Sequence, residues 1–350
     1  MSLLNIVEPN QKDTDSIQND EIAIGIDLGT TNSIISIKEN NKITIIPDTD
    51  GNLIHPSIVA FTKDNRIICA NQALKEQNTQ KIFSIKRLMN ENSLNNDIDF
   101  DYKIIKKEQQ PLKIAINNQE ITPIEISSYL LKYLKDIAQK YLKREVNKAV
   151  ITVPAYFDEA ARNATKNAAI LAQLQVLRLI NEPTAAAVSY GLDNQARGNF
   201  VVFDLGGGTF DVSMLKLTNG VFKVIGVGGD SNMGGDDIDK ILLDKIKKDC
   251  NITLSNSQDN QILRLISKNI KEKLSKIDKI TENFQISDKK YQFSITKSEF
   301  EGLISNFIDK IIDITNNLML ELDIEDEQIK GLVLVGGSTR LPLIKKRLSN

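Results

Sequence analysis

Histidine is nearly missing from this sequence: His55 is the single one, and cysteine is limited to Cys69 and Cys250. An imidazole-based catalytic triad or a histidine-rich zinc site needs fixed ring nitrogens, so neither chemistry is expected. His55 follows the loop Asp50-Gly51-Asn52, which predicts an exposed or capping side chain. The two cysteines lie too far apart in sequence for a metal knuckle; a reduced cytosolic setting, with each thiol a small buried apolar group, is the economical reading. No run of about 18 apolar residues exists to span a bilayer. Residues 1–20 carry Asp13, Asp15 and Asp20 and no apolar stretch, so they read as a polar lead-in rather than a signal peptide. A formal net charge of -2 gives no basic field for nucleic acid. No Gly-x-x-x-x-Gly-Lys-Ser/Thr sequence is present, which excludes a P-loop enzyme.

What is present suits a folded protein of more than one lobe. The 350 residues are 41% hydrophobic and 26% charged, enough for an ample core. Residues 22–26 and 33–37 read as two strands joined by a short glycine-containing turn, a hairpin. Thr122-Pro123-Ile124-Glu125 combines a capping threonine, a proline at the first helical position and a glutamate three residues on, so a helix follows. Asp158 opens an alanine-rich helix to about Ala172, and Asn181 opens another that Gly191 stops. Helices are predicted near 237–248 and 261–277, and from the capping box Thr296–Glu299 to about Leu320. About half a chain length after the first hairpin its pattern returns: Phe203-Asp204-Leu205-Gly206-Gly207-Gly208-Thr209 repeats Ile26-Asp27-Leu28-Gly29-Thr30-Thr31 in character. A repeat of that size predicts two lobes of similar core fold facing each other.

The repeated turn is chemically pointed. Glycine lets backbone approach a phosphate closely, and neighbouring amides and threonine hydroxyls supply donors to its oxygens. An aspartate at a strand end can hold magnesium through water, because that ion gives up its hydration reluctantly. One such hairpin alone is a tight turn. Two copies, with Gly336-Gly337-Ser338 after a third strand, point to a phosphate cradle, and a helix starting near Ser338 would add its positive end.

Five ordered segments carry a resemblance: residues 25–33, 151–157, 181–187, 203–212 and 335–340. Together they resemble the signatures of the seventy-kilodalton heat-shock chaperones over about residues 21–350. Within that family, residues 2–9, Arg87-Leu88-Met89, and Val221-Phe222-Lys223-Val224 followed by Gly229-Asp230-Ser231 look like the branch specialised for bacterial iron–sulfur cluster assembly. The resemblance implies an α/β, actin-like ATPase fold, with duplicated sheet-and-helix cores around a nucleotide cleft. It implies a first lobe over 21–195, a second over 196–350, and hydrolysis of ATP to ADP and phosphate with Mg2+.

Position by position, the resemblance makes Lys86 the lysine that orients the attacking water and balances phosphate charge. Glu182 and Asp204 match carboxylates that position water and the hydrated metal, and Asp27 and Asp204 match the metal-side pair. Gly29, Thr30, Thr31, Gly206, Gly207, Gly208 and Thr209 match phosphate contacts, as do Gly336, Gly337 and Ser338; Thr209 also joins Lys86, Glu182 and Asp204 in the implied catalytic set. Lys271, Ser275 and Arg340 match base and ribose contacts, and Pro154 and Arg162 a pair relaying nucleotide state to a partner domain. Composition alone would never single out Lys86, since a lone lysine is ordinarily a solvated charge. Glu182 also fits a first-turn carboxylate favoured by the helix dipole. Two departures, Lys268 and Glu272, imply a weaker hold on adenine than the family pattern gives. The family's return to the first lobe and its peptide-gripping domain have no counterpart in these 350 residues.

The implied partners are a J-domain co-chaperone and an iron–sulfur scaffold protein, for a cytoplasmic monomer with no nucleic-acid or membrane role. Fold alone does not decide function, and two other classes share the architecture. A sugar kinase needs an acceptor pocket that nothing here builds, and a filament protein does not call for Lys86.

Overall fold

The computed structural model describes residues 22–40, 42–77, 79–89, 102–107, 110–191, 197–230, 233–253, 257–287 and 289–349. The lead-in 1–20, with the segment at 2–9, and Ser231 lie outside the described residues.

The first hairpin is β1 (Ala23–Leu28) and β2 (Asn32–Glu39), extended by β3 (Lys42–Ile45). Ile24, Ile26 and Leu28 alternate inward on β1, as Ile35 and Ile37 do on β2, the period-two pattern that buries one face. β4 (His55–Pro56) returns to pair with β2 at Asn32 and Ser33. A small sheet of β5 (Val59–Phe61), β6 (Ile67–Cys69) and β7 (Gln80–Ile82) follows, with α1 (Ala70–Lys75) between its last two strands. Next come a 3-10 turn at Ile85–Met89 and a second small sheet of β8 (Ile104–Ile105), β9 (Lys113–Ile116) and β10 (Gln119–Ile121).

α2 (Pro123–Leu142) starts on the expected reciprocal cap: Glu125 N donates to Thr122 Oγ1 at 3.2 Å, and Thr122 N donates to Glu125 Oε2 at 2.8 Å. Its Leu130, Leu131 and Leu134 are fully buried, each worth about 1.5–3 kcal/mol. β11 (Lys148–Val153), α3 (Glu159–Leu171) and β12 (Gln175–Asn181) then complete the first sheet, in order β12-β11-β1-β2-β3 with β4 on β2. β12 is an edge strand of mixed exposure without clean alternation, which is why the sequence does not announce it.

α4 (Glu182–Ser189) leaves β12 but buries Ala187 against Phe200, Val202, Leu215 and Val333 of the second sheet. Tyr190, just past its end, donates from Oη to Leu334 O at 2.9 Å. That second sheet runs β15 (Val221–Asp230), β14 (Phe210–Thr218), β13 (Gly198–Leu205), β18 (Ile329–Val335). β13, β14, β15 and β18 repeat the connection of β1, β2, β3 and β11, including the parallel pairing of first and fourth strands. Between β15 and β18 lie α5 (Gly235–Asp249), α6 (Ser257–Leu274), the hairpin β16 (Lys279–Ile286) and β17 (Lys289–Thr296), and α7 (Lys297–Glu321). One apolar core spans residues 24–174 and another 201–344.

The second sheet holds four strands among the described residues, and β18 leads towards α8 (Pro342–Leu348). Three expectations change. The helix expected near Ser338 is a 3-10 turn, Gly337–Arg340, with α8 beginning only at Pro342, where proline's fixed φ suits a helix start. His55 is not exposed but fully buried, edge-on to Tyr133 with ring centroids 6.2 Å apart. The reason is the preceding loop. Asp48 Oδ1 accepts from the amides of Asp50 and Asn52, closing a tight turn that sends the chain straight back into the sheet as β4. Cys69 is buried as expected, while Cys250 is only half-buried. No described helix is long and apolar enough to cross a membrane.

Burial holds the His55 imidazole below its ordinary 6.5, against the opposing pull of the Ile46 backbone and the Asp48 charge. The unfolded chain therefore binds that proton first. Stability is full above about 6.5 and falls as pH drops through 6.5 towards the folded value. Thermal melts of wild type between pH 7 and 5 should show a decline that His55→Phe flattens. Equal slopes would remove His55 as the cause.

Candidate active site

The repeated turns face each other. In the second, Gly206 N donates to Thr209 O at 3.0 Å, and Gly206 O accepts from Gly235 N at 3.0 Å and Ser338 Oγ at 3.0 Å. Gly207 presses on the first turn: a Cβ built there would lie 2.4 Å from Thr31 Oγ1. Thr31 Oγ1 is itself buried with no hydrogen-bond partner among the described residues, which suits a donor to a phosphate. Thr30 is half-buried in the same turn as Gly29. Gly336 needs its glycine, with φ of 86° and a Cβ position 2.2 Å from Leu205 O and 2.7 Å from Asp204 Oδ1. It seats the third glycine loop beside Asp204, with Gly337 exposed beyond it.

Buried charge collects beneath these turns. Lys86, 7% exposed on its 3-10 turn, makes a short ion pair with Glu182, the first residue of α4. Asp27, exposed one residue before the end of β1, accepts at its Oδ1 from Thr152 Oγ1 at 2.7 Å. Asp204 stands opposite Asp211 across the β13–β14 ladder. Desolvation raises the Glu182 carboxyl, opposed by Lys86 and reinforced by Asp27. Burial and then Glu182 push Asp204 up to about 7. Burial, Glu182 and Asp204 push Asp211 up to about 8, against the Thr209 hydroxyl 3.1 Å away. Four carboxylates around one lysine form a cluster short of positive charge. Among the described residues no three His, Cys, Asp or Glu are grouped to hold a metal directly. The donors present fit a hydrated divalent ion held through water.

Asp211 escapes sequence reading; its signal is the ladder register, which sets it across from Asp204. Arg87 escapes it as a site residue too: its guanidinium lies against Gly208, where a Cβ would meet Nη2 at 2.4 Å. Pro154 is buried and lines a cavity with Tyr156, Glu182, Asp204, Asp211 and Gly228. Arg162 on α3 donates to Phe157 O at 3.0 Å and to Asn181 Oδ1 at 2.7 Å, tying α3 to the residue before Glu182.

The expected base and ribose contacts sit apart from the carboxylates, on the second lobe. Lys271 is buried, donating to Gly235 O at 2.8 Å and paired with Asp239 at 2.8 Å. Its ammonium lies 3.2 Å from a Cβ position on Gly235, which also meets Ser338 Oγ. Ser275 bonds Lys271 O and borders Leu341 and Pro342, with Arg340 exposed one residue before them.

Two sheets of matching strand order, with twin glycine turns meeting over buried carboxylates, define the actin-like ATPase fold. The sequence model of the family described as "Hsp70 protein" matches residues 23–350, and the chain belongs to that family. It is 40% identical over 361 residues to the Chaperone protein HscA homolog of Aliivibrio salmonicida, covering 100% of this chain and 57% of that protein. It is 39% identical over 355 residues to the protein of the same name from Acinetobacter baumannii (strain AYE), covering 99% and 56%. To that of Pasteurella multocida it is 39% identical over 354 residues, covering 100% and 56%. The chain thus spans little more than half the length of the relatives it matches.

Proposed function

We propose that this chain is the ATP-binding and ATP-hydrolysing part of an HscA-like chaperone. The observation that carries the reading is the Lys86–Glu182 ion pair among buried carboxylates, directly beneath glycine turns in contact. Phosphoryl transfer to water needs positioning and charge balance more than covalent chemistry. Thr30, Thr31, Thr209 and the backbone of Gly29, Gly206, Gly207 and Gly208 would hold the phosphates, with Gly336, Gly337 and Ser338 beside them. Lys86 would orient the attacking water and offset the charge that develops. Glu182 and Asp204 would position the attacking water, and Glu182, its carboxyl raised by burial, is suited to take that water's proton. Asp27 and Asp204 would hold Mg2+ through its water shell, and the ion would supply further charge neutralisation. Lys271, Ser275 and Arg340 would meet the nucleoside; the proposed lobe division at 195/196 lies outside the described residues.

The chain from Pro154 and Arg162 through Asn181 to Glu182 offers a physical route by which nucleotide state reaches a partner domain. The HscA names of the relatives support iron–sulfur protein maturation in a cytoplasmic setting, with a J-domain co-chaperone and an iron–sulfur scaffold protein as partners. General protein folding by the same family is the alternative. Titration with ADP and ATP in Mg2+, followed by phosphate-release assays, tests the core reading. Binding of both, with release indifferent to added sugars and no nucleotide-dependent pelleting, is expected. Sugar-dependent ADP formation would point to a kinase instead.

A further inference from the structure

We propose that Ser57, outside every nucleotide motif, is a positioning residue for the first phosphate turn; this rests on the nucleotide reading above. Ser57 is 2% exposed and follows β4, the two-residue strand folded back onto β2. Its hydroxyl donates to Gly29 O at 2.8 Å, and its backbone N–H donates to Thr31 O at 2.8 Å. One buried residue thus holds the turn by a carbonyl at each end. Because the Ser57 proton is committed to Gly29, the 2.9 Å contact with Ser33 Oγ runs from Ser33 as donor to Ser57 as acceptor. The relay leaves the Ser57 hydroxyl one orientation, which turns a flexible glycine segment into a fixed one.

The second lobe repeats the device from a different part of the chain. Gly206 occupies the place in its turn that Gly29 occupies in the first, and Gly206 O accepts from the buried Ser338 hydroxyl at 3.0 Å. Each phosphate turn therefore has the carbonyl of its leading glycine braced by a buried serine. Ser57 lies just after β4, and Ser338 in the turn after β18. The two braces set the donors of opposed turns before any phosphate arrives, the preorganisation on which tight phosphate binding depends.

Calorimetric titration of the 350-residue chain with Mg·ADP and, separately, with adenosine tests this. Ser57→Ala should weaken ADP about tenfold, the scale expected when a buried acceptor loses its donor. Adenosine, which has no phosphates to meet the turn, should bind within about twofold of wild type. Ser33→Ala keeps the Ser57–Gly29 bond and should cost ADP affinity clearly less than Ser57→Ala. If Ser57→Ala does not fold, Ser57→Cys, similar in size but a weak donor, is read the same way. Unchanged ADP affinity, or equal losses for ADP and adenosine, would overturn the brace while leaving the nucleotide reading intact. A wild-type chain that binds neither ligand would overturn both.

Discussion

Lys86→Ala should retain nucleotide binding within a few-fold and lose hydrolysis about 100-fold or more, the scale seen when one preorganised charge-stabilising group is removed from an active site. The argument is electrostatic. Lys86 is the cation that opposes the upward push on Glu182, Asp204 and Asp211 together. Without it, Glu182 keeps its desolvation and the repulsion of Asp27, so its carboxyl rises further and the water-ordering charge is lost. Single-turnover hydrolysis on wild type and variant, beside equilibrium ADP binding, separates chemistry from affinity. A variant that turns over as fast as wild type would end the assignment of Lys86.

Gly207→Val should weaken ATP binding about 100-fold or more while barely moving the thermal melt. The side chain would be built into the gap between lobes, against Oγ1, Cβ and Cγ2 of Thr31 at 2.4–3.1 Å, rather than into either core. Thr31 is branched at Cβ, so no rotamer clears all three contacts, and the turns must part. Displacing phosphate donors by even about an ångström costs on the order of 100-fold. Adding Thr31→Ala should cost less affinity on the Gly207→Val background than on wild type, because the two side chains meet and their effects are not additive, even though Thr31 is itself a proposed phosphate donor. A melt lowered as much as binding would place the strain inside a lobe and defeat the prediction.

Much of the site is legible in the sequence because its parts are local. A strand, an aspartate and a glycine turn are contiguous, so Asp27, Asp204 and the turns between them announce themselves, and their repetition announces the matching sheets. Capping boxes at Thr122 and Thr296 are equally local, and both helices begin where those residues say. What escapes is set by register and long-range return. Asp211 matters because the β13–β14 ladder puts it across from Asp204, while Lys86 is reached in the sequence only through the family resemblance, since nothing local marks the 3-10 turn that delivers it to α4. His55 and Ser57 are read wrongly or not at all for one shared reason. His55 lies on, and Ser57 just after, a two-residue strand whose partner, β2, is separated from it by β3 and the loop that follows. No window of apolar periodicity is long enough to reveal such a strand.

α4 begins on one sheet and rests on the other, and this has a mechanical meaning. Its first residue carries the carboxylate that Lys86 neutralises, while Ala187 and the Tyr190 hydroxyl fasten its far end to the second sheet. The helix is a short lever with its charged tip in the cleft. Rotating one sheet against the other would load α4 at both of its attachments, and the lysine–glutamate pair sits at the end of the element that spans the two halves.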